Sequence, residues 1–79
     1  MSKKIKLIWE FRGPSANQTA KHHEIHLQDY IRIEKLQLNI TKVEIQNDFS
    51  ASAYMVVTED ELPKVKTALK PHRGQYYEE

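Results

Sequence analysis

In "KIKLIWEFR", Ile5, Leu7, Trp9 and Phe11 fall on one side and Lys4, Lys6, Ile8, Glu10 and Arg12 on the other. That alternation is the period of a half-buried strand. Gly13 and Pro14 break it. Ser15 then opens "SANQ", a capping-box pattern with Gln18 three residues on, which predicts a helix starting there and running to about Leu36. At about 100° per residue, Ala16, Ala20, His23, Leu27, Tyr30, Ile31 and Glu34 share one broad face, mostly apolar, that should lie on a sheet. "NITKVEIQ" predicts a second strand with Val43 and Ile45 inward and Ile40, Lys42, Glu44 and Gln46 outward. "NDFS" marks a turn. "SASAYMVVT" predicts a third strand, with Ala51, Ala53, Met55 and Val57 on one parity and Ser52, Tyr54, Val56 and Thr58 on the other.

A shorter helix covers "ELPKVKTALK", with Pro63 in its first turn if Asp60 is the cap and an apolar stripe of Leu62, Val65 and Leu69. Pro71 ends it. Residues 70–79 form either an edge strand through Gln75, Tyr76 and Tyr77 or a frayed tail. A right-handed crossover makes the first two strands parallel and leaves room for the third between them. The resulting β-α-β-β-α(-β) order resembles the ferredoxin-like α+β fold: a two-layer sandwich of a mostly antiparallel sheet with both helices on one face. The resemblance covers nearly the whole chain, residues 1–79 as a single domain. It carries no function, because this fold hosts many unrelated activities.

At 79 residues the chain has room for one two-layer core and little more, so pairing with a second copy would be a natural way to bury more surface. There is no cysteine, which removes disulfides, thiolate zinc sites and cysteine nucleophiles together. The N-terminus lacks a continuous apolar core and no run approaches a membrane span, so a soluble, cytoplasmic protein is expected. The sequons at Asn17 and Asn39 then read as chance matches. A net charge of +1 gives no broad basic footprint, and nucleic acid is not an expected partner. The basic run from Lys64 to Arg73 reads as a solvated helix face with cations at the negative end of its dipole.

The chemistry-bearing feature is "AKHHEIHLQDY". His22 and His26, four residues apart, stand side by side on one flank of the helix, a spacing suited to two ligands of one metal. Glu24 is misplaced for a metalloprotease motif, and two imidazoles leave a zinc ligand set incomplete unless folding adds His72 or Glu10. No cofactor is therefore predicted, and zinc is the weaker alternative. His23 points nearer the apolar stripe and reads as a half-buried histidine donating a ring proton to a carbonyl or carboxylate. His23, His26 and Glu10 are the candidates for proton transfer. Arg12 could hold an anion or pair with Glu10 or Glu44.

A strand ending in a charged residue, a short loop and a helix bearing "HHEIHL" looks like small members of the dimeric α+β-barrel superfamily. That resemblance implies two protomers packing their open sheet faces around a cavity. Ile8, Ile40, Tyr54 and Val56 on the open face would lie in water in a lone chain, which also favours such a homodimer. Two functions follow. One is a homodimeric ligand-binding or enzyme-like domain, its cavity lined by Arg12, Glu10 and Tyr54. The other is a noncatalytic interaction module that binds another protein through the open face or a free edge strand.

Overall fold

In the computed structural model, which describes residues 3–77, six elements follow one another: β1 (Lys4–Arg12), α1 (Ala16–Glu34), β2 (Ile40–Asn47), β3 (Ser50–Thr58), α2 (Leu62–Leu69) and β4 (Arg73–Tyr76). The strands form one antiparallel sheet in the order β2-β3-β1-β4. β3 lies between β1 and β2, the place expected for it. The protein is α+β, and its β-α-β-β-α-β order matches the ferredoxin-like arrangement.

Strand alternation sets the two faces. Ile5, Leu7 and Trp9 of β1 and Ala53, Met55 and Val57 of β3 meet Leu27 and Ile31 of α1 and Val65 of α2 in the main core. Both helices thus pack on the same face. The α1 end of this layer is thin and built from small residues, where Ala16 and Ala20 seat directly on Ala51. Gly13 makes the β1–α1 turn at φ +114°, a conformation open to glycine, and its N–H donates to the Phe49 carbonyl at 2.9 Å.

Several boundaries differ from the sequence expectation, each for a local reason. Ser15 precedes α1 but its side chain makes no capping bond; the Ala16 N–H instead donates to the Gly13 carbonyl at 3.0 Å. α1 ends at Glu34 rather than Leu36, because Lys35 turns into the left-handed region and its N–H closes on the Ile31 carbonyl. Glu61, not Asp60, stands at the N-terminal boundary of α2, and its side chain makes no capping bond. The Glu61 carboxylate serves the neighbouring loop, where its Oε2 accepts from the Gln37 N–H at 3.0 Å. Ile45 has the inward parity but is 49% exposed, since it sits near the free edge of β2 beyond the cover of α1.

The largest correction concerns the open face. Ile8, Tyr54 and Val56 are 5%, 9% and 0% exposed within one chain. Leu38 from the α1–β2 loop, Ile40 and Tyr77 pack against them. Lys6 lies over the Tyr54 ring at 4.1 Å, its ammonium 3.9 Å from Glu44. The apolar patch that argued for face-to-face pairing is already covered by the chain's own loop and tail.

The expected edge strand is present as β4, and Tyr77 continues it by donating its N–H to the Lys4 carbonyl at 2.9 Å. Glu78 and Glu79 lie outside the described residues. None of the described helices is long and apolar enough to cross a membrane.

Candidate functional site

Where β1 passes beneath α1 and reaches the end of α2, four rings come together. His23 stands 4.9 Å from Trp9 and 5.4 Å from Phe11 between ring centroids, and Phe11 is 6.4 Å from His72. The expected proton donation from His23 to an oxygen is replaced by these aromatic contacts, and its Nε2 is buried without a hydrogen-bond partner among the described residues. Burial holds the His23 pKa below its ordinary value of 6.5, with the neighbouring His26 and His72 charges adding to the effect. A neutral ring therefore fills the space between Trp9 and Phe11.

The other sequence candidates are dispersed. His22 and His26 meet through their Nε2 atoms at 3.0 Å on the exposed flank of α1. No group of three or more histidine, cysteine or carboxylate side chains gathers as a metal ligand set among the described residues. Glu10 has the open-face parity, whereas His23 stacks on the helix face, so the sheet separates the two. The Glu10 carboxylate pairs with Arg73 at 3.4 Å, not with Arg12. Arg12 is exposed at the end of β1 and forms no ion pair with the described residues. Tyr54 is buried beneath Lys6, and its hydroxyl pKa is raised, mainly by that burial and then by the Glu44 charge.

His72, weighed from sequence only as a possible extra ligand, proves to be a junction. Its own N–H donates to the Ile8 carbonyl at 3.0 Å, and its Nδ1 accepts from the Glu10 N–H at 2.8 Å. The ring thereby extends the β1–β4 ladder by one bond, with Nε2–H left as its donor. The same histidine borders a groove of about 590 Å³ between α2 and β4. Ile5, Leu7 and Gly74 form its floor, Leu62 and Lys66 of α2 one wall, and Tyr76 the far end.

Comparison with protein-family models, with curated proteins and with solved structures found no match. The site's chemistry is therefore read from its own geometry.

Two features of the chain create the groove. Gly74 pairs with Leu7 and belongs to the helix-side face, where a Cβ would stand 3.3 Å from Leu7 Cδ2. The missing side chain leaves room beside the strand, although Leu7 itself, 2% exposed, is packed in the core. α2 is short, and its C-terminal end is fastened by Trp9, whose Nε1 donates to the Leu69 carbonyl at 3.0 Å. Its other end is tied to α1, through Lys64 and Glu34 at 2.6 Å. The helix is thus held over β1 while β4 extends beyond it.

The outer margin of this groove is a free strand edge. In the β1–β4 register Lys6 faces Gln75, and one step beyond the ladder the Tyr77 N–H donates to the Lys4 carbonyl, which makes Lys6–Gln75 a hydrogen-bonded pair by alternation. By the alternation of an antiparallel ladder, the N–H and C=O of Gly74 and Tyr76 point away from β1. β4 has no proline, no bulge and no charged side chain on its helix side, so it lacks the usual devices that block strand addition. β2, the opposite edge, carries a register irregularity between Ile45 and Asn47 and alternating charges at Lys42 and Glu44.

Sequence reasoning passed over Gly74, Lys66 and Tyr76. A signal was present in "RGQYY", an unblocked strand pattern with an unprotected glycine, but the groove needs α2 placed beside it.

Proposed function

We infer that the protein is a noncatalytic interaction module that takes up an extended segment by strand addition at the β4 edge, with one apolar side chain of the segment seated in the α2–β4 groove. The observation that carries this reading is the coincidence of unpaired backbone groups at Gly74 and Tyr76 with a groove beside them bordered by Leu62, Pro71 and Tyr76. Main-chain bonds would supply affinity and the groove specificity, as in other strand-addition sites. Lys66, His72 and Arg73 favour a segment that also carries carboxylates.

The readings built on catalysis, on zinc and on face-to-face pairing have less support. Glu10 and His23 lie on opposite sides of the sheet, the His22–His26 pair gathers no third ligand among the described residues, and Ile8, Tyr54 and Val56 are covered within the chain.

The test is a titration of isotope-labelled protein with a short peptide of alternating glutamate and tyrosine or valine, followed by NMR. Shifts confined to the Gly74 and Tyr76 amides and the Leu7 and Leu62 methyls are expected. Shifts centred on Tyr54 and Lys42, or none when millimolar peptide is added to protein dilute enough to be monomeric, would overturn the reading.

A further inference from the structure

The edge and groove of β4 are complementary to β4 itself. We propose that the segment they take up is β4 of a second copy of this chain, paired antiparallel about a two-fold axis at Gln75. This rests on the strand-addition reading and names its partner.

The register follows from which backbone groups are free. Only Gly74 and Tyr76 of β4 direct their N–H and C=O outward, so a second β4 must meet them with its own Gly74 or Tyr76. Placing Gly74 opposite the partner's Tyr76 puts Tyr76 opposite the partner's Gly74. Each of these pairs exchanges both of its backbone bonds. Centring on Gly74 or on Tyr76 alone would engage fewer of the free groups.

The same register matches the side chains. Residues opposite one another in an antiparallel pair share a face, so the partner's Tyr76 stands on the helix side beside the bare Gly74. Its ring can then enter the groove that Gly74 leaves unfilled. Tyr76 is 64% exposed in the single chain, with the Lys3 ammonium 5.2 Å from its ring centroid. An aromatic ring packed across a strand-edge glycine restores the cross-strand contact that the glycine lacks. On the open face, Arg73 falls opposite the partner's Tyr77, a pairing of guanidinium and aromatic ring.

Charge along the segment is complementary to itself when reversed. It is basic at Lys70 and Arg73, uncharged from 74 to 77, and acidic at Glu78 and Glu79 by sequence. An antiparallel pair runs this charge order in opposite directions along its two strands. The product is a continuous eight-stranded sheet with all helices on one side, a closed arrangement that leaves no further β4 edge to propagate.

The natural absence of cysteine makes the register directly testable. Gln75 sits on the axis as a non-hydrogen-bonded pair with its own copy, the closest cross-strand spacing. Three full-length single-cysteine variants, Gln75→Cys, Arg73→Cys and Tyr77→Cys, are oxidised under identical mild conditions, while sedimentation equilibrium of the unmodified chain gives its mass. The expected result is a dimer in which Gln75→Cys forms its intermolecular disulfide at least tenfold faster than the other two. Tyr76→Pro removes only an outward N–H and the ring and spares the bonds to β1; it should fold with unchanged far-ultraviolet dichroism and dimerise at least tenfold more weakly.

Self-pairing is overturned if the chain is monomeric to millimolar concentration, if Gln75→Cys cross-links no faster than the flanking variants, or if folded Tyr76→Pro dimerises normally. A monomer whose Gly74 and Tyr76 amides still respond to the glutamate–tyrosine peptide overturns the self-pairing alone. A chain with neither response overturns strand addition as well.

Discussion

The indole Nε1 of Trp9 donates to the Leu69 carbonyl at 3.0 Å, joining the middle of β1 to the last residue of α2. Trp9 is 3% exposed, so this bond lies at the border of the core and serves a helix-terminal carbonyl that has no partner within α2. It fixes where α2 stops, and hence where the groove opens. Trp9→Phe keeps the aromatic contact with His23 but removes the donor. It should lower stability by about 1–3 kcal/mol in a denaturant melt, with part of that from lost volume. An unchanged melt would show that α2 does not depend on this anchor.

Leu27 belongs to the same core, 1% exposed where α1 crosses the sheet, whereas Ile33 on the same helix is 67% exposed. Leu27→Ala should destabilise by roughly 2–5 kcal/mol, which in a chain of this size lowers Tm by at least about 8 °C. Ile33→Ala should stay within about 0.5 kcal/mol of the parent. Equal effects at the two positions would contradict the assigned face of α1.

The buried imidazole makes stability depend on pH. Because burial lowers the His23 pKa from its ordinary 6.5, the unfolded chain binds a proton there more readily than the folded one. Stability from this group is full above about pH 6.5 and is lost as pH falls from there through the lowered folded value. Melts between neutral pH and pH 5 should show the loss, and His23→Gln should flatten the curve in that window. A parent protein that gained stability on mild acidification would reverse the predicted sign.

Gly74 is the position at which fold and binding separate. A Cβ there approaches Leu7 Cδ2 to 3.3 Å, so alanine needs a shift of a few tenths of an ångström by a flexible side chain, and valine fills the groove floor. Gly74→Val should weaken uptake of the glutamate–tyrosine peptide by about tenfold or more, equivalent to about 1.4 kcal/mol. Circular dichroism should remain that of the parent. Full affinity in the variant would place the binding surface elsewhere.

Much of the architecture was legible because one-sided burial writes its period into β1, β3 and both helices. Leu7, Trp9, Met55 and Val57 could be assigned to a face by alternation alone, and Val65 by its helical stripe. Coverage of the open face was not legible, since Leu38 and Tyr77 come from a loop and a tail whose local sequence has no period. The His22–His26 contact follows from helix geometry, a spacing of four residues. The bond from the Glu10 N–H to His72 joins residues 62 apart, and only folding brings them together. The groove is hidden for the same reason: residues 70–79 read as an edge strand or a frayed tail, and only folding stands α2 beside Gly74.

Amide hydrogen exchange across β4, read residue by residue by NMR with and without the segment that fills the groove, tests strand addition at this edge most directly. In dilute protein, Gln75 should exchange slowly through its bond to β1, while Gly74 and Tyr76 exchange at nearly unprotected rates. Addition of the glutamate–tyrosine peptide, or a rise in protein concentration, should slow Gly74 and Tyr76 selectively. Slowing centred on β2 or the open face, with those two amides still fast, would contradict the account.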